Sequence, residues 1–381
     1  MESSSSLLNV VNHGKKPTSR PRSESADAKD RFSFSFLDRF DKFEREYFHI
    51  PMQALAKSIP GMCTLMTTFG ATCTGEGLVS FFGLLCWTIS VNACIHGIWL
   101  VPVVEVLNGL IKWQFGRPRP GWNDPRVDVL STSHEYSFPS SHAMLSWSLA
   151  TFFAYYWYDN VGTGQTPTSI PIYYAFYCHA AAVSISRVFD GAHYPKDIII
   201  GGFLGRQIGY AHYHITLPYF KANAKLNSTQ PMMQIMSGNL ISVAMLVVTL
   251  ICYTIAKRRW GKAPKKWCLL ACVKQDNLQP HFVPLFDYVG MCGVFSGLSV
   301  AEVVMNSTRP GLLLPTSWLD SLLRIVVGLL VLIGMWFAVR AIEKGMATNT
   351  VTRLLLRFIR YAQVPPIILL VAPACFEAIG I

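Results

Sequence analysis

Residues 93–111, ACIHGIWLVPVVEVLNGLI, run directly into residues 112–120, KWQFGRPRP. The first stretch is long and apolar enough to cross a bilayer as one helix, which takes about 20 residues. The second ends it with Lys112, Arg117 and Arg119. Two further polar patches, 136–144 (YSFPSSHAM) and 186–197 (SRVFDGAHYPKD), also lie where apolar stretches begin or end. Together the three patches supply cations, hydroxyl donors, two histidines and a carboxylate without the spacing of a metal site.

Hydrophobic residues make up 51% of the 381-residue chain and charged residues only 14%, well below the roughly 25% usual for soluble domains. An ordinary soluble enzyme is excluded, and the expected fold is an all-α, polytopic membrane helix bundle. Spans of near-crossing length are expected at 65–91, 93–111, 140–158, 171–187, 196–215, 237–256, 283–304, 321–342 and 358–380, about nine in all. The weaker 52–63 segment contains Lys57 and Pro60 and reads as interfacial or re-entrant. The net charge of +11 sits between apolar segments and in the N-terminal tail, so membrane lipid headgroups rather than nucleic acid are the expected counterions. Of ten cysteines, most lie in or beside apolar segments and read as small hydrophobes. Cys268 and Cys272 lack the second pair or nearby histidine of a zinc site, and no cofactor is expected.

Three parts are expected. Residues 1–50 form a tail whose first 30 residues are too polar to order themselves, without the charge arrangement of a cleavable signal. Residues 51–215 form the core that carries the polar patches, and 216–381 a C-terminal transmembrane extension. Between 32 and 48, Phe32, Phe36, Phe40, Phe43 and Phe48 recur at helical steps among charges, a pattern that fits the membrane surface or packing on the core.

Counting crossings brings the polar patches to one side. Lys112 ends a span, Ser140 opens the next, and two more crossings return Arg187 and Asp197 to the same face. The basic residues of 257–274, with Lys344, Arg353 and Arg357, fall on that face, which the positive-inside rule makes cytosolic. The sequons at Asn227 and Asn306 fall opposite. In the extension, Asp287, Glu302, Asp320, Arg324 and Arg340 are intramembrane charges, most near predicted span ends, that snorkel, pair helices or shape a headgroup site.

The residue types point to phosphate chemistry. Transfer of a phosphoryl group gathers charge on its equatorial oxygens, so catalysis rests on positioned cations and donors. Lys112, Arg119 and Arg187 suit that task, arginine adding a fork that holds two oxygens at once. One such cation at an interface would simply snorkel; three beside two histidines form a set. Ser140 and Ser141 precede a long apolar helix, whose unpaired N–H groups favour an anion. Pro195 marks a helix start between His193 and Asp197, a spacing that lets Asp197 accept the Nδ1–H of His193 and turn Nε2 toward phosphorus as nucleophile. His142 is left as acid and then base.

The patterns K-x6-R-P (Lys112, Arg119, Pro120), P-S-x-H (Pro139, Ser140, His142) and S-R-x5-H-x3-D (Ser186, Arg187, His193, Asp197) resemble the signature of the type-2 phosphatidic acid phosphatase superfamily. The resemblance implies a metal-independent phosphatase with a phosphohistidine at His193, His142 as acid, Asp197 orienting His193, and Lys112, Arg119, Arg187, Ser140 and the Ser141 backbone holding phosphate. Ser141 stands where many members have glycine. Residues 135–144, EYSFPSSHAM, together with the segments around Asp287 and Arg324, are most similar to the sphingosine-1-phosphate phosphatase branch. That implies a phosphorylated long-chain base as substrate and the endoplasmic reticulum as location. A broader phosphatidate or isoprenoid phosphate phosphatase, a lipid phosphotransferase and a non-catalytic lipid-binding relative are the other classes.

Overall fold

The computed structural model describes residues 35–130, 133–160, 169–220, 231–270, 278–308, 315, 317–346 and 349–381. The polar tail, Asn227 and Cys272 lie outside these. Every regular element among the described residues is helical. Helix α1 (Ser35–Glu44) continues through a π-helical turn into α2 (Ile50–Ser58), followed by α3 (Met62–Ala71), α4 (Gly75–Thr88) and α5 (Val91–Phe115). After the single turn α6 (Pro120–Asn123) come α7 (Ser141–Asn160), α8 (Ser169–Phe189) and α9 (Pro195–Ala211). The C-terminal half holds α10 (Pro231–Trp260), the short α11 (Lys265–Leu270), α12 (Phe282–Thr308), α13 (Trp318–Met346) and α14 (Thr350–Ala362), which runs on through short helical pieces to Ile379.

Helices cover most of each expected span, although 65–91 is broken between α3 and α4, and among the described residues five helical stretches are long and apolar enough to cross a membrane: Val91–Asn123, Pro231–Trp260, Phe282–Thr308, Trp318–Met346 and Thr350–Ile379. A sixth arises if α3 and α4, bent by 66° at their junction, are one broken span. Helices α7, α8 and α9 do not meet the same criterion. They carry the site's polar residues at their ends and several small or hydroxyl residues between, which lowers their apolarity. The outer helices α10 and α13 show lipid-type faces, with Met232, Leu240, Ile255, Leu330 and Phe337 all exposed.

The position of α9 against α7 follows from glycine. Gly201, Gly205 and Gly209 recur every four residues, and a Cβ at Gly205 would lie 2.0 Å from the Met144 carbonyl oxygen. Side chains there would push the helices apart, as at other small-residue helix contacts in membranes. Close approach sets the start of α7 beside the start of α9, where the Ser140 N–H donates to the Asp197 carbonyl at 3.1 Å. On the other flank α12 packs on α5, Tyr288 filling the space a Cβ at Gly109 would need. Trp260, ending α10, donates its indole N–H to the Trp113 carbonyl at 2.6 Å. Trp267 of α11 lies 5.7 Å from the Trp122 ring. The basic end of α10 therefore shares the Lys112 end of the bundle.

The segment 35–58 turns its polar side inward. Asp41 and Glu44 are 1% and 2% exposed, whereas Phe36 and Tyr47 are 77% and 68% exposed. Asp41 pairs with both Arg117 and Lys196, and Glu44 accepts from the Lys196 backbone and side chain. Farther along, Arg45 donates to the Tyr194 hydroxyl, His49 Nδ1 to the Val188 carbonyl, and Gln53 to the carbonyls of Asp128 and Phe189. The segment packs on the core through its polar groups and not through its aromatics: Phe36, Phe40, Phe43 and Phe48 are left outward, and Phe32 lies outside the described residues. Breaking a buried pair strands its partners, at about 3–5 kcal/mol. Asp41→Asn is therefore expected to lower thermal stability in detergent by about 3 kcal/mol, and Glu46→Gln, which loses an exposed pair with Arg126, by far less. Equal melting temperatures for the two variants would mean that this segment does not clamp the loops beneath it.

Candidate active site

Lys112 sits in the last turn of α5 because Gly116 stops that helix: at φ 58° it takes the left-handed conformation and donates its N–H to the Lys112 carbonyl at 2.9 Å. The next residues are extended, and Arg119 lies immediately before Pro120 opens α6. Arg187 is in the last turn of α8. Beyond it Gly191, φ 64°, reverses the chain so that the N–H groups of Ala192 and His193 both donate to the Arg187 carbonyl, at 3.1 and 3.3 Å. His193 is thereby folded back against Arg187. A Cβ at Gly191 would also lie 2.3 Å from the Asp128 carbonyl oxygen. Helix α7 begins at Ser141, with the Ser140 hydroxyl accepting from the Ala143 N–H at 3.4 Å, so both serines and His142 stand at its N-terminus.

Hydrogen bonds stitch the three sequence patches into one site. Arg119 donates Nε–H to the Glu135 carbonyl at 2.7 Å and Nη1–H to the Ala192 carbonyl at 3.0 Å. The same Nη1 lies 3.2 Å from His193 Nε2. The Ser137 N–H donates to the Arg117 carbonyl at 2.8 Å, and its hydroxyl to Asp197 Oδ2. Lys112 ion-pairs with Glu135, and Arg187 Nη1 donates to Asp190 Oδ2 at 2.6 Å. Lys112, Arg119, Arg187, Ser140, His193 and Asp197 are all buried. His142 lies within Coulombic reach of Arg187, Lys112, Arg119 and His193.

Two features of His193 follow from its neighbours. A guanidinium has only donors, so Nε2 must be the acceptor and a neutral ring carries its proton on Nδ1. Burial, reinforced by Arg119, Lys112, Arg187 and His142, pushes the imidazole well below the usual histidine range and keeps it uncharged. The expected Nδ1–H bond to Asp197 is not formed: the nearest carboxylate oxygen, Oδ2, is 3.9 Å away. That oxygen instead accepts from the Tyr194 N–H at 3.1 Å and from Ser137, capping α9, while Oδ1 has no hydrogen-bond partner among the described residues.

Sequence reasoning missed Glu135, Ser137, Asp190 and Tyr288. Glu135 and Asp190 border or lie within the quoted patches and were readable as charges, but their partners were not. The hydroxyl of Tyr288, from α12, bonds the Glu135 carboxylate. Asp287 lies beside it in charge range of Glu135, so of the extension's intramembrane charges this one reaches the site. Arg324 packs over the Phe376 ring, and Arg340 is exposed.

Residues 83–221 match the PAP2 superfamily, and residues 289–381 match the transmembrane extension of PAP2 superfamily phosphatases. A curated relative, the probable lipid phosphate phosphatase beta of Arabidopsis thaliana, is 26% identical over 115 residues, 26% of this chain and 53% of the relative. The chain thus spans about half the length of that relative. Among solved structures, the crystal structure of Aquifex aeolicus LpxE is similar at 18% identity, covering 47% of this chain and 95% of that one with a TM-score of 0.34. The PAP2 superfamily domain contains all eight residues singled out above, from Lys112 to Asp197, and the chain joins it to the transmembrane extension of that superfamily's phosphatases.

Proposed function

We propose that the chain is a multi-pass membrane phosphatase of the endoplasmic reticulum that hydrolyses a phosphorylated long-chain base, of the sphingosine 1-phosphate kind, to the free base and phosphate. The observation that carries the reading is the neutral His193, its Nε2 facing Arg119, set between Lys112, Arg187 and His142 at the N-terminus of α7. Three cations around one imidazole suit a phosphoryl group in transfer and little else.

In this reading Arg119 exchanges its contact with Nε2 for phosphate oxygens, and Lys112, Arg187, the Ser140 hydroxyl and the Ser141 N–H hold the rest. His193 Nε2 attacks phosphorus as the bond to the lipid oxygen breaks, and His142, protonated once the bound phosphate dianion offsets the surrounding cations, gives that oxygen its proton. His142 then takes a proton from water, whose oxygen displaces Nε2 and releases phosphate. Asp197, whose Oδ2 now lies 3.9 Å from Nδ1, moves in to accept the Nδ1–H of the phosphohistidine. The substrate class is supported by the likeness of residues 135–144 to the sphingosine-1-phosphate phosphatase branch. The basic α10 end lies beside Trp113, and α11 after it beside Trp122, which favours a pocket on the cytosolic side.

Two measurements test this. A ¹⁵N-histidine titration of protein without substrate, assigned with His193→Gln, should leave the His193 ring neutral as pH falls through about 6.5, because a lowered pKa preserves the neutral form below the ordinary midpoint; a midpoint at or above that value contradicts the nucleophile's environment. Purified protein in chelator, offered a panel of phosphorylated lipids and glucose 6-phosphate, should release phosphate fastest from the long-chain base phosphate. His193→Ala should lose at least about 10³-fold in rate. Preference for the sugar phosphate would remove the lipid assignment, and a new phosphorylated lipid in place of free phosphate would indicate a phosphotransferase.

A further inference from the structure

Glu135 stands where the proposed phosphate site does not need an anion. Its carboxylate is paired with Lys112 and bonded by Tyr288, while its own backbone carbonyl takes the Nε–H of Arg119. Lys112 is 1% exposed, whereas the Glu135 side chain it pairs with keeps 23% of its surface accessible. Glu105, one helical face along α5 from Lys112, and Asp287 from α12 lie in charge range of Glu135 and of each other. No hydrogen bond from the Glu105 carboxylate is found among the described residues.

A phosphate dianion that takes Lys112 and Arg119 removes what holds Glu135 ionised. Burial alone would raise the Glu135 carboxyl; Lys112, Arg119 and Tyr288 outweigh it and bring it below the usual carboxylate range. Once those cations turn to phosphate, a carboxylate next to a dianion is strongly opposed unless a positive charge arrives with the phosphate. Inorganic phosphate and simple phosphate monoesters bring none.

We infer that Glu135 is a specificity-determining residue which passes its ion pair from Lys112 to an ammonium group of the substrate, so that the site selects lipids carrying phosphate on one carbon and a protonated amine on the next. The inference rests on the phosphatase reading above and assigns the amine of its substrate to a residue. Lys112 and Glu135 touch, so phosphate on the lysine and ammonium on the glutamate are neighbours, matching a vicinal amino phosphate. The exchange conserves charge: one ion pair opens and two form, phosphate with Lys112 and ammonium with Glu135. The remaining carboxylates favour the same cation and disfavour a second anion.

The test compares three long-chain phosphates of equal length, a 2-amino-alkyl 1-phosphate, its N-acetylated form and the plain alkyl phosphate, on full-length wild type, Glu135→Gln and Glu135→Asp. Wild type should favour the free amine over both others in kcat/KM by about ten- to a hundredfold, the worth of one charged hydrogen bond. Glu135→Gln, which keeps the shape and a hydrogen-bonding amide, should lose turnover of the amine and gain on the plain phosphate, collapsing the ratio to about one. Glu135→Asp, which keeps the charge, should restore part of the preference, separating recognition from damage to the fold. An unchanged ratio in Glu135→Gln, or equal wild-type rates on all three, overturns the role of Glu135 and leaves the phosphatase reading standing. No phosphate released from any of the three by wild type overturns both.

Discussion

Four basic side chains, Lys112, Arg117, Arg119 and Arg187, are each less than a tenth exposed in a bundle whose surroundings are apolar, and the rest of the structure is arranged so that none lies there uncompensated. An unpaired buried charge is far more costly than a packed apolar group, so each cation has to find its anion or carbonyl from elsewhere in the chain. Arg187 finds Asp190 three residues on; Arg117 reaches Asp38 and Asp41 in α1; Arg119 uses carbonyls of the other two patches; Lys112 takes Glu135. These pairs, more than apolar packing, fix the register of the loops. Between helices in lipid, burial of apolar surface offers little driving force, and close glycine contacts such as Gly205 on Met144 take its place.

What could be read from the chain was local. Gly116 after the α5 pattern, Ser140 before α7 and Pro195 before α9 are helix punctuation, and each acts as such. Crossing arithmetic then brought the patches to one face, and Arg119, Ser137 and Asp197 now bridge them. The pairs that could not be read are distant in sequence: Arg117 with Asp41 is separated by 76 residues and Lys196 with Asp41 by 155. Periodicity gives a face of a helix but not the partner of that face. For the same reason the aromatics of 32–48 read as a stripe for the membrane surface or for the core, whereas the polar stripe of that segment makes the packed contact. The Asp197 carboxylate shows the limit of spacing: a four-residue step places it near His193, but the Tyr194 N–H and Ser137 compete for the oxygen nearest the ring.

The span count was less legible because a helix that carries a site is a poor match to hydropathy. Helices α7, α8 and α9 pack against one another around polar ends and glycines, and the lipid-facing work falls to α10 and α13, of whose apolar windows 11% and 17% are buried. The extension is therefore more than an anchor. Tyr288 on Glu135 and His281 on the Tyr136 hydroxyl, 3.2 Å apart, bring α12 and the turn before it to the edge of the phosphate site.

The anions around the site divide into two kinds by how replaceable they are. Asp41 is almost fully buried and shared between Arg117 and Lys196, neither of which faces His193, so it belongs to the frame and has no reason to open. Glu135 is partly accessible and neutralises a lysine that sits among the groups around both histidines. In the proposed reaction the cations are already aimed and only their counter-charge changes when phosphate arrives, which is what electrostatic preorganisation asks for. Segments outside the 83–221 match supply the frame's anions and the Tyr288 support of Glu135. The surroundings of the candidate site are thus set in part by segments that lie outside that match.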